Sequence, residues 1–180
     1  TYTGTGSTGT QIPVGFQPDF VWFKNRSDTD WHIVQDSVRG VNKSIFPNAV
    51  DAEETYANFI QEFNATGYTI GSDGQINQSG LPYVAWNFKA GGAAVTNTDG
   101  TITSQVSANT EAGFSVVSYT GNGLAINNTI GHGLGSTPKM IIIKQRSGTT
   151  PWIVYRSEVG TGDHMELNQT YAASGSGSIF

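Results

Sequence analysis

The sequence predicts an all-β chain of tandem antiparallel β-sandwich units, jelly-roll-like, with the second unit incomplete. Three observations carry that expectation. The composition is turn-rich, with 23 glycines in 180 residues, many Ser, Thr and Asn, and one stretch, Asp51 to Phe63, of helix-forming character. Apolar residues fall in short runs bounded by polar turn residues, the pattern of strands rather than helices. The sequence also repeats itself at a spacing of 120 residues.

The repeat is read from identities. Gly15 matches Gly135, Pro18 matches Pro138, Lys24 matches Lys144, Arg26-Ser27 match Arg146-Ser147, and Ile33-Val34 match Ile153-Val154. Ser37 and Ser157, Gly40 and Gly160, Asn48 and Asn168, and Ala52 and Ala172 continue the register. Tyr2 to Gly6 (YTGTG) and Tyr119 to Gly123 (YTGNG) join it after a shift of three residues. An apolar strand, Phe114 to Ser118, precedes the second opening, whereas only Thr1 precedes the first. The expected organisation is therefore a first unit over 1–92 without its opening strand, a polar linker or thin hairpin over 93–112, and a truncated second unit over 113–180. Phe180 corresponds to Ile60, so the chain reads as a window on a longer polypeptide.

In chain order, Phe20 to Phe23 is a short apolar run after Pro18-Asp19 and before the polar turn Lys24 to Asp28, and reads as a buried strand. Trp31 to Val34 is a second strand, so residues 20 to 34 suggest a hairpin. Glu53 to Phe63 is open. Tyr56, Phe59, Ile60 and Phe63 fall at helical spacing, while Phe59, Gln61 and Phe63 also alternate as in a strand. Tyr68 to Ile70 and Tyr83 to Phe88 are bounded by Ser72-Asp73-Gly74 and Ser79 to Pro82, which suggests a strand pair around turn chemistry. Ala93 to Ala112 is polar and small, with an Asp99-Gly100 turn between Val95 and Ile102.

Charge excludes some classes of partner. Charged residues make up 13% and the net charge is -5 without any charge run, so the clustered Lys and Arg that nucleic acid demands are missing. No apolar run approaches the ~20 residues of a membrane-spanning helix. The absence of cysteine removes disulfides and thiolate chemistry, and fits a reducing cytoplasm or a virion assembled there.

The motifs that resemble catalytic or cofactor sites have plainer readings. Gly4 to Gly9 satisfies a GxGxxG pattern, but it runs into Ile12-Pro13-Val14 rather than opening a helix, so it reads as a glycine loop and no cofactor is expected. His32, His132 and His164 lack metal spacing, and no metal is expected. Asp28, Asp30 and Asp36 with Arg39, or Glu53 with Glu54, would be the carboxylates of a sugar hydrolase. In the repeat Asp30 becomes Thr150, Asp36 becomes Arg156 and Arg39 becomes Val159, so the unit does not need them, and no enzyme is expected. Six Asn-x-Ser/Thr sequons, from Asn25 to Asn168, read as a by-product of Asn, Ser and Thr richness.

Ligand candidates are aromatic and basic. A pyranose stacks its apolar face on Trp or Tyr while polar neighbours take its hydroxyls. Trp22, matched by Ile142, and Trp86, alternating with Val84 and Phe88, read as core; Trp31 and Trp152, beside polar turns, are the surface candidates. Lys24 and Arg26, repeated as Lys144 and Arg146, form the sharpest shared polar signature, suited to an anionic glycan or to closing a sheet edge.

The strings QIPVGFQPDFVWFKNRSDTDWHIVQDSVRG, YVAWNFKAGG and SANTEAGFSVVSYTGNG with TIGHGLGSTPKMIIIKQRS resemble a repeated module of tail-fibre and other virion-structural proteins of marine tailed phages. That module commonly stands beside concanavalin-like and laminin-G-like domains. The resemblance covers nearly the whole chain. It implies a β-rich module of a virion appendage near the host-contacting end, with no catalytic residues to carry over. The expected partners are further copies of the chain, other virion proteins and a host-surface glycan, without nucleic acid or membrane insertion.

Overall fold

The computed structural model describes residues 1–124, 127–159, 163–170 and 174–175. Gly160, Ala172 and Phe180, used above to follow the repeat, lie outside them. In chain order the first nine strands are β1 (Tyr2–Thr3), β2 (Thr10–Pro13), β3 (Phe20–Asn25), β4 (Ile33–Asp36), β5 (Lys43–Ser44), β6 (Glu54–Thr55), β7 (Ile60–Asn64), β8 (Gly67–Ile70) and β9 (Pro82–Phe88). A four-residue helix, α1 (Gly74–Asn77), lies between β8 and β9. There follow β10 (Val95–Asn97), β11 (Ser104–Asn109), β12 (Phe114–Tyr119), β13 (Met140–Ile143), β14 (Ile153–Arg156), β15 (Asp163–Glu166) and β16 (Ser174–Gly175). The chain is all-β, with antiparallel ladders in every sheet.

Strand alternation builds the first sandwich. One sheet has the order β1-β9-β3-β4 and the other β2-β8-β7. Alternation along β3 sends Val21 and Phe23 to one face and Phe20 and Trp22 to the other. Val21, Phe23 and Ile33 of the first sheet meet Ile60, Tyr68 and Ile70 of the second, and Phe46, Phe59 and Ile76 close the ends; all nine are fully buried. Phe23 meets Tyr68 edge-on with ring centroids 5.6 Å apart. Each such side chain contributes roughly 1.5–3 kcal/mol through burial.

The hairpin expected over 20 to 34 is present as β3 and β4, paired from Phe20↔Asp36 to Phe23↔Ile33, although Trp31 and His32 precede the strand. Glu53 to Phe63 resolves as β6 and the start of β7 joined by a turn over 56–59, in which Phe59 N–H donates to Tyr56 O at 3.3 Å. β7 pairs with β8 across a two-residue turn in which Asn64 Oδ1 accepts from Thr66 N–H at 3.1 Å, and a bulge at Gln61 takes up the mismatch in period. Gly67 is required there: a Cβ would lie 2.1 Å from the Ile12 carbonyl oxygen on the neighbouring strand.

Two expectations are corrected. Tyr68 to Ile70 and Tyr83 to Phe88 do not pair with each other. β8 pairs with β2 and β7, whereas β9 pairs with β1 and β3 in the opposite sheet. Asp73, read as a turn residue, caps α1 by accepting from Gln75 N–H at 2.9 Å, and this helix carries the chain from one layer to the other. Trp86, read as core, is 46% exposed. Its partners in alternation were identified correctly, but their face is the outer one; Tyr83, one residue out of phase, is the buried neighbour.

Residues 93–112 supply β10 and β11, which pair with each other, and β11 pairs in turn with β12 over six residues from Ser104↔Tyr119 to Asn109↔Phe114. The 120-residue repeat is present in the backbone. β13 and β14 pair as Met140↔Arg156 to Ile143↔Ile153, each partner displaced by 120 from those of β3 and β4. Ser157 N–H donates to Lys139 O at 3.0 Å as Ser37 N–H donates to Asp19 O at 2.9 Å.

Because Phe23 fills the centre of the first core with no polar atom to rescue, Phe23→Ala should lower unfolding free energy by about 3–5 kcal/mol in a urea titration. Loss below about 1 kcal/mol would show that the two layers do not meet at this residue.

Candidate functional site

The shared basic signature serves the backbone. Lys24 Nζ donates to the Asp28 carbonyl at 2.7 Å, and Lys144 Nζ donates to the carbonyls of Gln145 at 2.8 Å and Gly148 at 3.0 Å. Asp28 and Gly148 are themselves 120 apart, so one lysine braces the same turn in each copy. Burial, against the opposing pull of Asp51, lowers the Lys144 ammonium from its ordinary value.

Arg146 joins the two copies. Its Nε and Nη2 donate to the two oxygens of Glu53, each at 2.8 Å, and Nη1 donates to Ser118 Oγ at 3.2 Å. Glu53 also accepts from Arg39 Nη1 at 3.0 Å, and Arg39 Nε donates to Asp36 at 2.5 Å. Burial alone would raise the Glu53 carboxyl, but the hydrogen bonds from Arg146 and Arg39 hold it below its ordinary value. Asp36, Arg39 and Glu53, weighed as catalytic groups in the sequence, are thus members of one ion-pair chain. Arg26, the counterpart of Arg146, is exposed; its side chain has no partner among the described residues, while its N–H donates to Pro82 O at 2.9 Å.

The two tryptophan candidates separate. Trp31 is 42% exposed and meets Phe46 edge-on at 4.9 Å. Trp152, expected at the surface, is 5% exposed. It packs with Val34 and Ile45 on the outer face of the first sheet, beside Phe20 and Trp22, and its Nε1–H donates to the carbonyls of Phe46 at 2.9 Å and Ala49 at 3.1 Å. Its structural counterpart is His32, not Trp31: Asn48 Oδ1 accepts from His32 N–H and Asn168 Oδ1 accepts from Trp152 N–H, both at 2.9 Å.

A cleft of about 300 Å³ opens along this seam, lined by Trp22, His32, Pro47 and Asn48 from one copy and by Leu167, Asn168, Gln169 and Thr170 from the other. Both asparagines spend their oxygens on backbone N–H groups, so both face outward with Nδ2, which has no acceptor among the described residues. Trp22 Nε1–H donates to His32 Nδ1 at 2.9 Å, which leaves the proton of the neutral imidazole on Nε2. Burial lowers the His32 imidazole, and Lys24 adds to the effect, so the ring is neutral at pH 7. The cleft therefore offers hydrogen-bond donors beside apolar surface, without net charge. The sequence identified Asn48 and Asn168 as a repeated pair but not as wall residues, because their backbone partners come from a turn sixteen residues earlier.

A larger cleft of about 540 Å³ lies where the sandwich meets the next sheet. Its buried carboxylate, Asp19, is fully used: it accepts from Ser37 Oγ at 3.0 Å, Ala90 N–H at 2.9 Å and Gly92 N–H at 3.2 Å. The glycine loop at Gly4 to Gly9 is likewise bound by the protein, with Thr5 N–H donating to Asn77 Oδ1 at 2.8 Å and Gly6 N–H to Asn77 O at 2.7 Å. Asn25 and Asn77 of the sequons are buried. Among the described residues no cluster of three or more His, Asp or Glu side chains is placed to hold a metal, and no helix is long and apolar enough to cross a membrane.

The chain belongs to the family described as Domain of unknown function (DUF7483), whose model matches residues 1–180. No curated protein and no solved structure matches it.

Removing the Trp152 indole empties the seam and orphans two carbonyls, so Trp152→Ala should cost about 3–5 kcal/mol of unfolding free energy. Acid should loosen the same seam. With a depressed folded value, the stability from Glu53 is complete above the ordinary carboxylate range and is lost as pH falls through the folded value. A melting series from about pH 7 to about pH 3 should therefore show an acid limb that Glu53→Gln makes shallower; identical limbs would refute the ion-pair chain.

Proposed function

We propose that this member of the DUF7483 family is a structural and adhesive module of a phage tail fibre or related virion appendage, carried as a homo-oligomer and contributing to attachment to a host-surface glycan. The observation that carries the reading is the neutral cleft between the copies. Its Trp22 and Leu167 offer apolar surface to a sugar ring, and the Nδ2 groups of Asn48 and Asn168 with His32 Nε2–H offer donors to its hydroxyls. The virion setting rests on the resemblance of its long strings to phage tail-fibre modules. A cleft of this size holds one or two sugar residues, for which a dissociation constant near ~1 mM is ordinary, about −4 kcal/mol. Display on a symmetric array raises the effective affinity by roughly 10²–10⁴ without new contacts.

A second reading, a purely architectural virion decoration assembled by strand sharing, is favoured by one observation: β13, at a sheet edge among the described residues, has Met140 54% and Ile142 43% exposed. A chain that remains monomeric at high concentration in light scattering would count against it.

The adhesive reading is tested with bead-displayed chain on a glycan array. Asn48→Asp with Asn168→Asp keeps the oxygens that accept from the backbone but replaces both outward NH2 donors with carboxylate. Glycan binding should fall at least about tenfold, roughly 1.4 kcal/mol, with little change in melting temperature. Binding that survives the double variant, or no bound glycan at all, rejects the cleft as a sugar site. Antibody against the chain should label the appendages of intact particles in electron micrographs, and unlabelled particles would reject the virion assignment.

A further inference from the structure

We infer that the cleft between the copies selects sugars carrying an N-acetyl group, with the acetamido carbonyl on its amide donors and the methyl against its apolar wall, a selection that rests on the glycan reading of the same cleft. The polarity of the wall carries this. The side-chain oxygens of Asn48 and Asn168 are held on the backbone, by His32 N–H and Trp152 N–H at 2.9 Å each. The one nitrogen of the neutral His32 ring that can accept, Nδ1, receives Trp22 Nε1–H at 2.9 Å. The groups that these three wall residues leave without a partner, among the described residues, are all donors: two Nδ2 amides and one Nε2–H.

A wall of donors discriminates among the substituents of a sugar. A hydroxyl can accept from it, but brings a proton of its own that needs an acceptor the three residues have already committed; a polar group buried without its partner pays its full desolvation. An ammonium, as in a free amino sugar, consists only of donors and meets donors. A carboxylate accepts well, yet it brings a charge into a cleft that has none to answer it. Lys24, whose charge reaches His32, spends its ammonium on the Asp28 carbonyl at 2.7 Å.

The acetamido group meets each of these conditions. Its carbonyl is neutral, carries no proton and has two lone pairs, and the two amide donors come one from each copy. Its methyl needs apolar surface beside that acceptor, which Trp22 and Leu167 supply. Its N–H needs a single acceptor. Gln169 and Thr170, both exposed at the margin of the cleft, have side-chain oxygens without a partner among the described residues.

The test uses ligand-observed NMR titrations of the intact chain with sugars that differ only in the substituent on one ring carbon. N-acetylglucosamine is compared with glucose and glucosamine, and N-acetylgalactosamine with galactose and galactosamine. In at least one of the two series the N-acetyl form should bind at least about tenfold tighter than both relatives, with saturation transfer strongest at the acetamido methyl. Asn168→Asp keeps an oxygen for Trp152 N–H and turns the outward donor into an acceptor. It should weaken the N-acetyl form at least about fivefold and strengthen the ammonium form, a reversal of preference that loss of structure would not produce. Hydroxyl forms that bind as tightly as the N-acetyl forms, and lose affinity in Asn168→Asp, overturn the selection while leaving the cleft a sugar site. An N-acetyl preference that Asn168→Asp does not alter also overturns it, by placing recognition elsewhere on the chain. No binding of any of the six sugars at about ten times the ~1 mM expected of such a cleft overturns the selection and the glycan reading together.

Discussion

The burial of one indole sets the relation between the two copies. The first sheet is apolar on both faces: its inner face meets β2-β8-β7, and its outer face, with Phe20, Trp22 and Val34, needs a second cover. Trp152 provides it, and its N–H satisfies the carbonyls of Phe46 and Ala49. Two backbone bonds across the seam, from Glu53 N–H to Arg146 O at 2.8 Å and from Thr150 N–H to Val50 O at 3.0 Å, hold the copies at a fixed angle. The 300 Å³ cleft exists because of this docking, since one of its walls comes from each copy.

Residues that recur at 120 and residues that do not have different work. Lys24 and Lys144 close a turn, Asn48 and Asn168 receive a backbone N–H, and Ser37 and Ser157 donate across the hairpin. All three pairs are local scaffold, which explains their recurrence without a ligand. The seam is built instead from positions where the copies differ. His32 stands where Trp152 does, and Glu53 lies beyond the last shared identity. Arg146 shows both tendencies: it is shared with Arg26, yet only in the second copy does it face a carboxylate.

What was legible in the sequence follows from the range of the interaction involved. The strands read at 20–23, 31–34, 83–88 and 114–118 lie within two residues of β3, β4, β9 and β12, because alternation and flanking turns are local. The pairing of β8 was not, since β2 lies more than fifty residues earlier and the intervening Asp73 looks the same whether it opens a turn or caps α1. Trp86 was misplaced by a related limit: alternation shows that Val84, Trp86 and Phe88 share a face but not which face meets the core. At the seam, the neighbouring polar turn misled for Trp152, whose counterpart is a half-buried histidine hydrogen-bonded to Trp22. The repeated asparagines were the readable signal, and the covering layer that makes them cleft walls was not.

The seam uses different surfaces on its two sides. One copy offers the carbonyls of Phe46 and Ala49 with the carboxylate of Glu53; the other inserts Trp152 and Arg146. Such a contact is heterologous, so it has a direction and no inherent reason to close on itself. The two copies therefore present different chemistry to each other across the joint. Force that separates them acts on the indole socket and the guanidinium–carboxylate clasp together.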